Sequence, residues 1–149
     1  SSGELSFLHL LFNNLVRFIG DDFSPVRPEL CKEYPTNYCI SQQINGKFSI
    51  RTYIDMPEST CIAFASRYVD EDFNSFDEYV QSSLEDFLNL HNGLFNVNMS
   101  NEQGLELQLD VPNVVTDELI TFEHEAYLLP VVYSFGTIHF IFELIHNEL

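Results

Sequence analysis

The stretch ISQQINGKFSIRTYID, Ile40–Asp55, decides the fold. Asn45-Gly46 sits between two apolar alternations, and Asn-Gly supplies the positive-φ conformers that tight two-residue hairpin turns demand. The segment therefore reads as two antiparallel strands. Phe48, Ile50 and Ile54 fall two or four residues apart, so they share one strand face, which needs a cover. The cover is expected on either side of the hairpin. Upstream, Leu5–Ile19 carries Leu8, Leu11, Phe12, Leu15, Val16, Phe18 and Ile19 close to a 3.6-residue period, an amphipathic helix that Gly20 stops. Between them, Asp21–Tyr38 holds Pro25, Pro28 and Pro35 among charges and reads as a loop.

Downstream, Pro57 opens a helix that carries Cys61, Ile62, Phe64, Ala65, Tyr68 and Val69 inward. Asp70-Glu71-Asp72 lacks the Gly and closing Glu of a calcium loop and reads as a solvated linker. Ser75-Phe76-Asp77-Glu78 fits a capping box for a second helix. That helix is expected to run to Asn92, with Gly93 as its terminator. Its apolar stripe is Phe76, Val80, Leu84, Phe87, Leu88 and His91. Three strands then close the chain. Leu105, Leu107, Leu109 and Val111 alternate with polar residues, and Leu119–Val132 reads as one long strand. Pro130 within it predicts an edge or a bulge, because proline cannot donate to a ladder. Ser134-Phe135-Gly136-Thr137 is a tight turn, and Ile138–Leu144 is the last strand. The order predicts an α/β fold, a mainly antiparallel sheet covered on one face by helices.

The 149 residues, 45% hydrophobic and 14% aromatic, predict one domain over 1–149 that needs no disulfide or metal staple. The opening Ser1-Ser2-Gly3, without Met, raises the expectation of a longer natural chain with an upstream domain. Six Lys+Arg against 23 Asp+Glu give a net charge of −17, which argues against nucleic acid and anionic membrane as partners. No apolar run approaches the roughly 18 residues of a membrane helix. Cys31, Cys39 and Cys61 are odd in number, without zinc-ligand spacing or a positioned base. Free thiols in a reducing cytoplasm are the expectation. Leu5–Leu11 has no basic segment before it and no small-residue cleavage site after it, so it is not read as a signal peptide. On a strand, Glu123 and Glu125 point away from His124, which argues against a metal corner there. No GxSxG, GxxxxGK[ST] or GxGxxG is present, so acyl-transfer and nucleotide chemistry have no support.

Ser82, Asp86 and Asn89 lie at i, i+4 and i+7 of the second helix. At 100° per residue they span about 0°, about 40° and about −20°, one narrow stripe opposite the apolar one. Taken alone this is an ordinary wet helix face. A carboxylate and a carboxamide one turn apart also suit a single bound partner, one taking a cation and the other both donating and accepting.

Ser82, three residues, Asp86, two residues, Asn89, twenty-two residues, Pro112 resembles the signature of the CheC/CheX class of chemotaxis phosphatases. That signature has Asp or Ser, then Glu, Asn and Pro at the same spacings, so Asp86 departs by one methylene. Met56-Pro57-Glu58, Phe76-Asp77-Glu78 and Tyr133-Ser134-Phe135-Gly136 are similar to the family as well, and the resemblance spans roughly residues 40–145. It implies hydrolysis of the phosphoaspartate of a response-regulator receiver domain. Asn89 would orient the attacking water, Asp86 would meet the receiver's Lys, Ser82 would give a supporting contact, and Pro112, across on the strand, would shape the groove beside the helix. It implies no cofactor bound by this chain, the Mg²⁺ being the receiver's. A single copy of the signature points to the CheX-like branch and implies a homodimer with joined sheets. The exposed edge of the last hairpin is the expected seam. The shorter Asp86 leaves a non-catalytic receiver-docking or dimerising domain as the alternative. A small-molecule sensor would need an apolar cavity that nothing in the sequence selects.

Overall fold

The Asn45-Gly46 turn joins strands β3 (Tyr38–Asn45) and β4 (Phe48–Met56), paired antiparallel from Tyr38↔Met56 to Ile44↔Ile50. The computed structural model describes residues 2–147, with side chains over 6–145. Before the hairpin lie α1 (Ser2–Phe18), β1 (Phe23–Pro25) and β2 (Glu29–Pro35). After it come α2 (Glu58–Val69), α3 (Glu78–Gln103), β5 (Gln108–Leu109), β6 (Asn113–Thr116), β7 (Leu119–Tyr133) and β8 (Gly136–Asn147). The strands form one antiparallel sheet in the order β1-β7-β8-β4-β3-β5, with β2 also on β7 and β6 also on β3. This is the expected α/β architecture, with the helices packed on one face.

Alternation puts Tyr38, Ile40, Gln42 and Ile44 of β3 toward the helices. The apolar layer there divides in two. Leu11, Leu15, Phe64, Leu84, Phe87, Ile40, Ile54 and Phe140 belong to one cluster. Phe7, Phe95, Met99, Ile44, Ile50 and Phe142 belong to the other. Gln42 and Thr52, a cross-strand pair, sit between them with Asn92 of α3, and all three are buried. The opposite face is not bare. The ribbon of β2 and the first half of β7 covers part of it, packing Tyr34 and Phe122 against Cys39, Tyr53 and Ile141. Asp55, fully buried, ties this ribbon down by accepting from Tyr34 Oη (2.7 Å), Asn37 N (2.8 Å) and Asn37 Nδ2 (3.1 Å).

Several expectations are corrected. The Asp21–Tyr38 segment is not a loop but holds two edge strands. Most of their residues are exposed, so burial leaves no alternation to detect, and their partner β7 lies about a hundred residues away in sequence. Helix α3 runs through Gly93 because Phe95 and Met99 continue the inward stripe of Leu88, both buried. It stops at Gly104, whose φ of +64 closes the helix with N–H bonds to Met99 O and Ser100 O. Asp77, not Ser75, caps α3 by accepting from Val80 N at 3.0 Å. Val69 is exposed rather than inward. In the Leu105–Val111 stretch only Gln108–Leu109 pairs, and Val111 is 79% exposed. Leu105 and Leu107 pack on the second cluster without a ladder, and Leu109 packs there from the short pairing with β3.

Pro130 lies where the ladder on one side of β7 is interrupted, between the β1 and β2 pairings, and the register there shifts by one residue. In a strand N and C=O of one residue point to the same side, and Pro130 O accepts from Val26 N at 2.9 Å. Its missing donor therefore faces the gap between β1, paired up to Pro25↔Val131, and β2, paired from Glu29↔Leu128. The last hairpin has no free edge, since β7 is flanked by β1 and β2 and β8 by β4. The expected dimer seam is thus filled by the chain's own strands.

Candidate functional site

The capped first turn of α3 starts a ridge on the helix's outer side. Leu84, Phe87 and Leu88 are buried, and Ser82, Asp86 and Asn89 are exposed, as the angular reading requires. Ser82 Oγ donates to Tyr79 O at 3.1 Å, a local bond that leaves its oxygen facing outward. Beside Ser82 and Asp86 lies an open pocket of about 450 Å³, walled by Tyr68, Val69, Phe73 and Tyr79 from α2, the linker and the start of α3.

Asp86 is held from the side. Tyr68 Oη donates to Asp86 Oδ2 at 2.5 Å across the α2–α3 contact. The Tyr68 ring packs on Phe64 and Phe87, at 6.2 and 5.7 Å between centroids. Burial pushes the Tyr68 phenol well above its ordinary pKa, and the Asp86 hydrogen bond and charge add to that. The phenol therefore stays protonated and donating at neutral pH.

Asn89 is held from below. Gln42 Nε2 donates to Asn89 Oδ1 at 2.8 Å and to Asp110 O at 3.0 Å. One buried amide nitrogen thus joins the helix ridge to the segment between β5 and β6. That segment carries Pro112, which is half-buried and lies outside any strand, not on one as expected. Beneath, Asn92 Nδ2 donates to Gln42 Oε1 at 3.0 Å and to Thr52 Oγ1 at 2.9 Å. Thr52 Oγ1 in turn donates to Gln42 O at 2.8 Å.

Residues 38–136 match the family model described as chemotaxis phosphatase CheX. The chain belongs to the CheX family. The match contains Ser82, Asp86, Asn89 and Pro112, and leaves α1, β1, β2 and most of β8 outside. Solved CheX structures share the whole architecture. A CheX–CheY–BeF₃–Mg²⁺ complex from Borrelia burgdorferi is similar at a TM-score of 0.83 and 18% identity, covering 96% of this chain and 97% of that one. A chemotaxis protein CheX from Desulfovibrio desulfuricans aligns with a TM-score of 0.80 and 16% identity over 97% of this chain and 100% of its own. CheX from Vibrio vulnificus gives a TM-score of 0.80 at 17% identity, again over 97% and 100%. At such identities these likenesses speak for the fold. No curated protein sequence matches the chain.

Two contributors escaped the sequence reading of this CheX-family chain. Tyr68 was expected inward. Its ring is, but its hydroxyl emerges at the ridge. Gln42 left a signal that could have found it, a long amide in the inward row Tyr38-Ile40-Gln42-Ile44 where alternation asks for an apolar residue. Among the described residues no group of three or more His, Cys, Asp and Glu could hold a metal, and no helix is long and apolar enough to cross a membrane.

Proposed function

We propose that this chain hydrolyses the phosphoaspartate of a response-regulator receiver domain, as a CheX-family phosphatase working on a cytoplasmic partner. The observation that carries the reading is the ridge itself. Asp86 and Asn89 stand exposed about one turn apart on α3, inside the region matched to the family. In the reaction, water attacks phosphorus in line, the P–O bond to the aspartyl carboxylate breaks, and free carboxylate and inorganic phosphate leave. Such transfer demands positioning and charge stabilisation rather than a covalent intermediate. The Asn89 carboxamide orients the water, Asp86 meets the receiver's Lys, and Ser82 and Pro112 flank the contact. Mg²⁺ is held by the receiver and neutralises charge on the phosphoryl oxygens.

The test is the decay of a phosphorylated receiver with and without the protein. Wild type speeds decay, and Asn89→Ala loses most of the acceleration but keeps a measurable remainder from docking and from Asp86, while binding persists. Asp86→Glu, which restores the methylene, speeds decay further. Loss of acceleration in Asn89→Ala together with loss of binding overturns the water-orienting role. A second reading has its own support: the Tyr68 hydrogen bond engages the short Asp86 carboxylate, as suits a domain that docks a receiver without catalysis. It predicts binding with no acceleration by wild type. Homodimerisation belongs to the same proposal, with the seam moved to the outer strands β1 and β2 or β5 and β6, where the sheet ends. Sedimentation equilibrium checks it.

A further inference from the structure

We infer that Gln42 is a positioning residue that fixes which end of the Asn89 carboxamide faces the partner; the inference rests on the phosphatase reading above. The network leaves one consistent assignment of amide ends. Asp110 O is a backbone carbonyl and only accepts, so the Gln42 end that meets it at 3.0 Å is nitrogen. The second hydrogen of that nitrogen points to Asn89, 2.8 Å away, so the Asn89 atom there is oxygen. Gln42 Oε1 then accepts from Asn92 Nδ2, whose other hydrogen goes to Thr52 Oγ1. Asn89 is left with its amide nitrogen and one oxygen lone pair outward, a donor and an acceptor side by side at an exposed rim.

The network is expensive and therefore informative. Gln42, Thr52 and Asn92 are 1%, 1% and 0% exposed, and they interrupt an apolar layer that would otherwise run unbroken from Ile40 and Ile54 to Ile44 and Ile50. Burying an amide is costly unless it is hydrogen-bonded, and Asn92 Oδ1 has no partner among the described residues. Apolar residues at positions 42, 52 and 92 together would fill this layer with no buried polar group to satisfy. What Gln42 adds is a hydrogen bond from this buried row to the exposed ridge. An exposed asparagine otherwise turns freely about its last torsion. Held by Gln42, it presents its donor and acceptor in one orientation before the partner arrives.

The experiment compares wild type, Gln42→Met, Asn89→Ala and the double variant. Methionine keeps the length of the side chain without its donors. At saturating protein, receiver dephosphorylation by Gln42→Met falls on the order of ten- to a hundredfold, with affinity for the beryllofluoride-loaded receiver within about twofold of wild type. In the Asn89→Ala background the same substitution produces no further loss, because there is no carboxamide to orient. Equal losses in both backgrounds overturn the positioning role, as does an unchanged rate in Gln42→Met. A readout independent of activity separates the two claims. Side-chain ¹⁵N relaxation of Asn89 shows a rigid carboxamide in wild type and a mobile one in Gln42→Met. If wild type fails to speed decay, the phosphatase reading falls and this measurement alone decides Gln42. An Asn89 carboxamide equally mobile in both proteins overturns the inference.

Discussion

Acidification will weaken the contact between α1 and α3 through His91. His91 Nδ1 meets Asn14 Nδ2 at 2.9 Å, and since that amide nitrogen donates, the ring proton sits on Nε2. Nε2 has no partner among the described residues, and the ring is 1% exposed with Phe7 edge-on at 4.7 Å and Phe87 stacked at 6.5 Å. Burial alone drives its pKa from 6.5 down to about 3. The folded value lies below the unfolded one, so the associated stability is present above pH 6.5 and is lost as pH falls toward 3. Each unit of that fall removes about 1.4 kcal/mol, so a shift from pH 8 to pH 5 removes about 2 kcal/mol. Urea unfolding of wild type and His91→Asn at pH 8, 6.5 and 5 isolates the effect, because the carboxylates titrate alike in both. Asparagine keeps an acceptor for Asn14 and cannot take up a proton. The variant is less stable at pH 8 through lost ring packing, and its deficit shrinks by about 2 kcal/mol at pH 5. A deficit that does not change with pH would refute the argument, because the ring would then be titrating normally or equally in both states.

Other outcomes follow from particular contacts. A Cβ at Gly136 would collide with Thr60 Oγ1, and φ there is +144, so Gly136→Ala costs about 2 kcal/mol or more. Thr60→Ala in the same chain returns only part of this, as chemical denaturation will show. Gly93 lies inside α3 with nothing within 4 Å of an added Cβ, so Gly93→Ala raises stability by about 0.5–1 kcal/mol in the same assay; destabilisation would return Gly93 to the role of terminator. If the Tyr68 hydroxyl restrains Asp86, Tyr68→Phe and Asp86→Glu each quicken receiver dephosphorylation severalfold. A slower rate in both, in stopped-flow decay measurements, contradicts the restraint.

The hairpin, α2, the start of α3 and the β7–β8 hairpin were legible because each writes its signal locally: a turn dipeptide, a cap or a period. Even there, the location of the cap misled. Ser75 and Asp77 are both good caps, and only the path of the chain selects Asp77. The exposed stripe of Ser82, Asp86 and Asn89 followed from helix geometry alone. Gly93 misled because a glycine's weak preference for ending helices is overridden when Phe95 and Met99 bury below it.

Residue order by itself determined the fold class, the acidic surface, and the ridge that bears an acid and an amide at family spacing. Tertiary structure alone decided that β1 and β2 occupy the flank of the last hairpin, that Tyr68 engages Asp86, and that Gln42 reaches Asn89 from forty-seven positions away. The physical reason is range. Turns, caps and periodicity are settled among neighbours a few residues apart, whereas strand partners and hydrogen bonds between side chains exist only once distant segments have been brought within 3 Å of one another.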